Sequence, residues 1–288
     1  MKTKSLRAMP FLLPALAIYL SVIVGPALYS LYLSLFNWNG VAATKIFVGL
    51  GNYLNLITSD AVFLIAIKNN ILWTVLSLVL TITTALCLAM ILNQNFRGRT
   101  VFRGIFYFPY ILSGIVVALM WSWIYHPQLG FLNSLLDSIG LHRLQKGWLS
   151  EPGIAFFAVF VAALWQAVGA PMVLFLAGLQ TIPKEMYEST KIDGASSWQT
   201  FAYVTIPLLK ETFVIVVATT LISSMKVFDI IFAMTGGGPA QSTQTLTTWM
   251  YMQTFTFANI GTGTAISWIL VVVVMLIAVP YVLYMSRD

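Results

Sequence analysis

The 288-residue chain predicts an all-α integral membrane protein with six transmembrane helices. Hydrophobic residues make up 59% of it and charged residues 8%, the mean hydropathy is +0.87, and six apolar stretches are long enough to cross a bilayer. Soluble domains are about 25% charged, and water cannot solvate the surface that so few charges would leave. The composition excludes a cytoplasmic enzyme, a disordered protein, a secreted disulfide scaffold and a nucleic-acid-binding domain. In so apolar a chain, the excess of 15 Lys and Arg over 9 Asp and Glu reads as a topology signal rather than a phosphate-binding one.

The predicted spans are 11–36, 61–92, 105–125, 154–179, 213–234 and 263–285. Each offers the roughly 20 mainly apolar residues a spanning helix needs, and none alternates as a barrel strand would. The first follows Lys2, Lys4 and Arg7 like a signal peptide. Its apolar run exceeds the roughly 7–15 residues of a cleaved leader and ends in no small-residue cleavage site, so it is expected to be retained. The second is longer than a bilayer requires and opens with Asn69 and Asn70, of which Asn70 is expected to bond a neighbouring helix. Pro109 and Gly114 let the third span bend. In the fifth, Lys226 and Asp229 are three apart and can pair on one helix face, or one of them faces a solute path. Thr235-Gly236-Gly237-Gly238-Pro239 ends that span in a turn. The single Cys87 permits neither an internal disulfide nor a cysteine metal cluster.

Orientation follows from Lys and Arg. Ten of them (Lys2, Lys4, Arg7, Arg97, Arg99, Arg103, Lys184, Lys191, Lys210 and Arg287) fall on one side of the predicted membrane. Four fall on the other (Lys45, Lys68, Arg143 and Lys146), and Lys226 lies within a span. The bias predicts cytoplasmic N- and C-termini in a multi-pass cell-membrane protein. The chain carries no phosphate-binding GxxxxGK[ST] loop, so any ATP must be bound by another chain.

The cytoplasmic stretch 181–207 is long and carries both charge signs. Thr181 is expected to cap a helix with Pro183 in its first turn, Lys184 and Glu188 sit at i,i+4, and Gly194 ends it. Ala195–Tyr203 is expected to form a second short helix, for which Asp193 is a possible cap. Met186, Tyr187 and Ile192 then lie outside the bilayer, which suggests either a docking surface or a helix resting on lipid headgroups.

This stretch resembles the EAA loop of binding-protein-dependent ABC importer permeases, whose pattern is roughly E-A-A-x3-G-x9-I-x-L-P. Glu188-Ser189-Thr190 takes the place of E-A-A, Asp193-Gly194-Ala195 that of D-G-A, and Ile206-Pro207-Leu208 that of a shortened I-x-L-P. Arg97-Gly98-Arg99 with Phe102-Arg103 leading into Phe108-Pro109-Tyr110, Val227-Phe228-Asp229 before Thr235-Gly236-Gly237-Gly238-Pro239, and Gly261-Thr262-Gly263 extend the resemblance to the carbohydrate-type branch, similar to maltose-type permeases. Ser189-Thr190 departs from the two alanines and favours the helix less.

The resemblance implies a type I ABC importer transmembrane domain over 1–288 that is not itself an enzyme and holds no cofactor. ATP and Mg would be bound by a partner cytoplasmic ABC ATPase dimer. A second related permease subunit, an extracytoplasmic solute-binding protein and a carbohydrate solute complete the implied partners, with no nucleic acid. Docking to the ATPase is implied for Glu185, Met186, Tyr187, Glu188, Asp193 and Gly194. The positions lining the sugar pocket of a maltose-type subunit fall on Tyr110, Gly114, Ala163, Gln166, Ala167, Thr220, Ser224 and Val227. Tyr110, Gln166, Thr220 and Ser224 are chemically suited to sugar hydroxyls and form the candidate substrate pathway, with helix packing as their competing role. An ion- or proton-coupled secondary transporter is the alternative function, since six spans and a Lys/Asp pair permit it. The loop 181–207 discriminates, because a self-sufficient carrier needs no ATPase docking surface. Only His126 and His142 are present and no nucleophile–base set lies in a span, which argues against a membrane enzyme.

Overall fold

The computed structural model of the chain describes residues 12–285. Phe11 and the basic residues Lys2, Lys4, Arg7 and Arg287, used for the first span and for orientation, lie outside the described residues. The backbone begins with α1 (Leu12–Leu33), the antiparallel strands β1 (Phe36–Asn37) and β2 (Ile46–Phe47), α2 (Gly51–Thr58) and α3 (Ala61–Asn93). Next come α4 (Arg99–Ile111), α5 (Gly114–Ile124), α6 (Phe131–Ser138), α7 (Pro152–Ala167), α8 (Gly169–Thr181), α9 (Lys184–Ile192) and α10 (197–208). α11 (Lys210–Met225), α12 (Asp229–Thr235), α13 (Leu246–Tyr251) and α14 (Ile260–Met285) complete it. Among the described residues, four helical stretches, namely α1, α3, residues 210–235 and α14, are long and apolar enough to cross a membrane. The pairs α4–α5 and α7–α8, bent by 102° and 41°, bring the number to six if each pair is one span.

Contacts divide the described chain into two units, 12–64 with Trp249–Val271, and Ile65–Thr248 with 272–285. In the first unit, α1 stops at Leu33, three residues before the end expected from hydropathy, because Phe36 and Asn37 leave the helix to pair with Phe47 and Ile46. The ribbon is held by Asn52 of α2, whose Nδ2 donates to Ser34 O (2.7 Å) and Phe36 O (2.9 Å). The Lys45 ammonium lies 4.5 Å from the centre of the Trp38 ring and donates to Tyr29 OH at 2.9 Å. Asp60 caps α3 by accepting from Phe63 N (2.8 Å), and its other oxygen accepts from Trp249 Nε1 (2.8 Å). α14 begins at Ile260, and a Cβ on Gly261 would collide with Phe36 O.

The second unit packs around two apolar clusters. One joins Ile82, Leu86 and Leu92 of α3 to Met172, Phe175 and Leu179 of α8, with Val216 of α11. The other centres on Trp73, which meets Phe156 and Phe160 of α7 edge-on at centroid distances of 5.7 and 5.1 Å, against Val117, Ile230 and Ile231. Between α12 and α13 the chain makes a tight polar knot rather than a plain surface turn. Gly236 and Gly237 take positive φ (58° and 92°), and Gln244 and Thr248 are fully buried. Asn69 holds the knot from α3, its Nδ2 donating to Ser242 O (2.8 Å) and Gln244 O (2.9 Å).

Two other expectations meet a different geometry. Residues 105–125, expected as one span, are parts of two helices that turn at Leu112-Ser113, where Ser113 caps α5 by accepting from Val116 N at 3.4 Å. The fifth span breaks at Lys226–Phe228, so Lys226 ends α11 while Asp229 begins α12. No Lys226–Asp229 ion pair forms among the described residues, because the i,i+3 register that would have joined them needs a continuous helix.

Asn69→Leu leaves two buried carbonyls without donors, and we expect it to destabilise the chain by about 1–3 kcal/mol. The measurement is the thermal midpoint of the purified protein, with Val79→Ala on the exposed face of α3 as a control that leaves the midpoint nearly unchanged.

Candidate functional site

The breaks that interrupt the spans release backbone carbonyls, and side chains from other helices take them up. At the end of α4 the Leu112 carbonyl accepts from Gln166 Nε2 of α7 at 2.8 Å. At the end of α11 the Met225 carbonyl accepts from Asn70 Nδ2 (3.4 Å), while Asn70 Oδ1 accepts from Leu246 N (3.2 Å). The expectation that Asn70 bonds a neighbouring helix therefore holds. Val227 O accepts from the hydroxyls of Thr245 and Thr247. The two breaks lie side by side, since a Cβ on Gly114 would stand 2.9 Å from Asp229 Cβ.

Next to these breaks, α3, α4, α7, α8, α11 and α12 line a half-open cavity of about 240 Å³. Tyr110, Gln166, Thr220 and Ser224, the set that the resemblance to maltose-type permeases implied, all line it, together with Ala163, Ala167 and Val227. Gly114 does not, being packed on Asp229. Ser223, a notable polar residue of the fifth span in the sequence, lines the cavity as well; Trp73, Ser77, Thr81 and Thr219 also line it and were not singled out by sequence reasoning. The spacing of Trp73, Ser77 and Thr81 was the available signal, because four-residue steps put them along one side of α3. The π-helical turn Ser77–Thr81 falls in the same place.

The wall's chemistry is specific. Thr219 donates its hydroxyl to Ile215 O (2.8 Å) and Ser224 donates to Leu221 O (2.8 Å). With their protons committed to their own helix, these oxygens offer acceptor lone pairs. Tyr110 is about half exposed, and its ring lies 5.7 Å from that of Tyr107. Among the described residues, every side chain lining the cavity is uncharged.

The segment 181–208 forms a second candidate site. α9 begins at Lys184 with Pro183 as its N-terminal flank, and the Thr181 hydroxyl instead donates back to Gly178 O of α8 (2.8 Å). Thr181 thus belongs to the preceding helix and does not cap α9. Gly194, at φ +71°, follows the helix in the left-handed conformation expected of a terminator. Asp193 is the last half-turn of α9, and the cap of α10 is Ser196, whose Oγ accepts from Gln199 N (3.3 Å) while Gln199 Oε1 accepts from Ser196 N (2.8 Å). Asp193 is therefore not the cap of the second helix.

Glu185, Met186, Glu188, Asp193 and Gly194 are exposed. Tyr187 is not part of that surface: it packs on the α3–α8 cluster, and its hydroxyl lies 3.3 Å from Thr205 Oγ1. Tyr187 is therefore the peg that fixes α9 to the bundle. The outward apolar groups are Met186 and Ile192, joined by Trp198 and Tyr203 of α10, which are 72% and 78% exposed.

Comparison with known proteins places this arrangement. Residues 77–286 match the family described as binding-protein-dependent transport system inner membrane component. The chain is 37% identical to the probable ABC transporter permease protein PH1215 of Pyrococcus horikoshii over 96% of its own length and 94% of that protein's. It is 33% identical to the trehalose/maltose transport system permease protein of Thermococcus litoralis, over 94% and 90% of the two chains. A chain in the crystal structure of a bacterial alginate ABC transporter, in complex with alginate pentasaccharide-bound periplasmic protein, superimposes with a TM-score of 0.85 at 23% identity, over 99% of this chain and 95% of that one. At that identity the likeness concerns the fold. On the family match and the identity to these relatives, the chain belongs to the binding-protein-dependent inner membrane components, the multi-pass permease subunits of ABC transporters.

Proposed function

We propose that the chain is the permease subunit of an ATP-driven, binding-protein-dependent importer of an uncharged sugar or oligosaccharide. The cavity carries this reading. Its aromatic faces, Trp73 and Tyr110, suit the CH faces of a pyranose, and its hydroxyls and the Gln166 amide suit the edges. A uronate or phosphate entering it would lose hydration without meeting a countercharge from this wall, at a cost of several kcal/mol. The trehalose/maltose relative points to the same solute class. We read the chain as one domain with six spans, α4–α5 and α7–α8 each counting as one, and with both termini cytoplasmic.

In this reading α9 and α10 are the levers. Glu185, Met186, Glu188, Asp193 and Gly194 meet one subunit of a cytoplasmic ATPase dimer that binds ATP and Mg. Tyr187 carries the movement into α3 and α8, because it packs on the cluster they share. A second related permease supplies the opposite wall, and an extracytoplasmic binding protein delivers the solute. The exposed charged and apolar surface of α9 and α10 favours this over a secondary transporter, and the Lys226/Asp229 pair that would have supported such a carrier is absent from the described ion pairs.

Glu188→Lys should lower solute-stimulated ATP hydrolysis by the assembled complex by about tenfold or more, since a like charge at an interface costs several kcal/mol. Wild-type rates from the variant complex would remove Glu188 from the docking surface. Thr220→Val and Ser224→Ala should each raise the half-saturating solute concentration by about two- to tenfold, the worth of one hydrogen bond. In proteoliposomes holding the whole complex, ATP-dependent uptake should favour a neutral disaccharide or trisaccharide over a uronate oligosaccharide of equal length. Solute uptake by this chain in liposomes without ATP or an ATPase would instead indicate a secondary carrier.

A further inference from the structure

Outside both sites, α6 presents an apolar face that the fold holds open. Phe131, Leu135 and Ile139, at four-residue steps, are 67%, 43% and 58% exposed, and Leu129 before them is 81% exposed. Such residues turn inward in a slack loop, but here the loop cannot fold over them. Asn133 is buried on another side of α6 and acts as a hub: its Nδ2 donates to Pro127 O (2.9 Å) and Lys146 O (3.0 Å), and its Oδ1 accepts from Trp148 Nε1 (2.8 Å). Asp137 adds a second tie, bonding His142 Nδ1 (2.7 Å) and Gln145 Nε2 (3.1 Å). The loop is thus preorganised with its apolar row outward.

We propose that this row is a membrane-surface anchor, seated in the headgroup and upper acyl layer of the lipid bilayer on the α5–α7 end of the bundle. Three observations on the chain select lipid as the occupant. α6 starts after a linker of only residues 125–130 and is followed by α7, so it stays within about 20–25 Å of the membrane end of α5. The exposed row Ile115, Leu119 and Trp123 on α5 runs directly towards it along the chain, and such a row on a spanning helix faces lipid. Trp123, which is 76% exposed, stands at the end of α5 just before the loop, and Trp concentrates at the membrane–water boundary. On the helical wheel Asp137 lies opposite the apolar row and Ser134 about 100° to one side of its centre, which gives α6 the two-faced character of a helix lying flat in an interface.

The test is site-directed spin labelling of the full chain, assembled with its partners in phospholipid vesicles. Phe131→Cys, Leu135→Cys, Ile139→Cys and the exposed Ser134→Cys would each be made with Cys87→Ser, since Cys87 is itself exposed. Labels at 131, 135 and 139 should relax more with oxygen, which concentrates in lipid, than with a water-soluble nickel chelate, and the label at 134 should show the reverse order. If the chelate reaches 131 and 135 as freely as 134, the row faces water and the proposal is wrong. If both relaxants are excluded from the row, another protein covers it and the proposal is equally wrong. Three positions on the row keep the result readable if one variant fails to assemble.

Discussion

A carbonyl that leaves a helix inside a membrane has no water to accept from, and this single constraint organises the structure. The helices break at Leu112-Ser113 and at Lys226–Phe228, and each break has a designated donor. Gln166 serves the first, Asn70 serves Met225 O, and the hydroxyls of Thr245 and Thr247 serve Val227 O. The polar residues that look out of place in apolar spans are therefore largely the counterparts of interruptions elsewhere. Without them the breaks would be too costly to keep, and without the breaks the apolar helices would close against one another.

The cavity is a product of the same arrangement. Beside the 102° bend between α4 and α5, side chains of α3, α7 and α11 line the cavity together with Tyr110 of α4. Gln166 takes part in both features, since it holds the Leu112 carbonyl and lines the cavity wall. Fastening the break and lining the cavity share one side chain at that position. Ser224 has the same double character, donating to Leu221 O and lying 3.2 Å from Thr74 Oγ1 while lining the cavity.

Hydropathy was enough to read the long elements. The stretch 61–92 is α3 to within one residue, because an apolar run of that length has no other stable form in lipid. The interruptions were harder to read. Pro109 and Gly114 permit a bend but do not specify 102°, which depends on a donor from α7 being in place. The cap of α10 was legible and was missed, since Ser196 and Gln199 have the Ser-x-x-Gln spacing of a capping box, whereas Asp193 has no Glu or Gln three residues later. Tyr187 shows a limit of local reading. Its neighbours Met186 and Glu188 face outward, and only the tertiary position of the α3–α8 cluster turns it inward. The four candidate pathway residues meet in one cavity, while Trp73, Ser77 and Thr81 show that the wall also draws on a helix whose apolar average hid its polar side.

The long-range bonds at the breaks also bear on how the chain is made. Leu112 O is capped by a residue 54 positions later, and Asn69 waits for a carbonyl 175 positions later. At about 5–20 residues synthesised per second, these intervals are roughly 3–11 s and 9–35 s. Throughout them α4 and α5 are two short segments, each below the roughly 20 residues that cross a bilayer unaided. The bond that caps the end of α4 can form only once α7 has been synthesised, and the knot after α12 closes only when nearly the whole polypeptide has emerged. The polar fastenings of both breaks are thus completed late in synthesis, after most of the apolar helices they hold have been made.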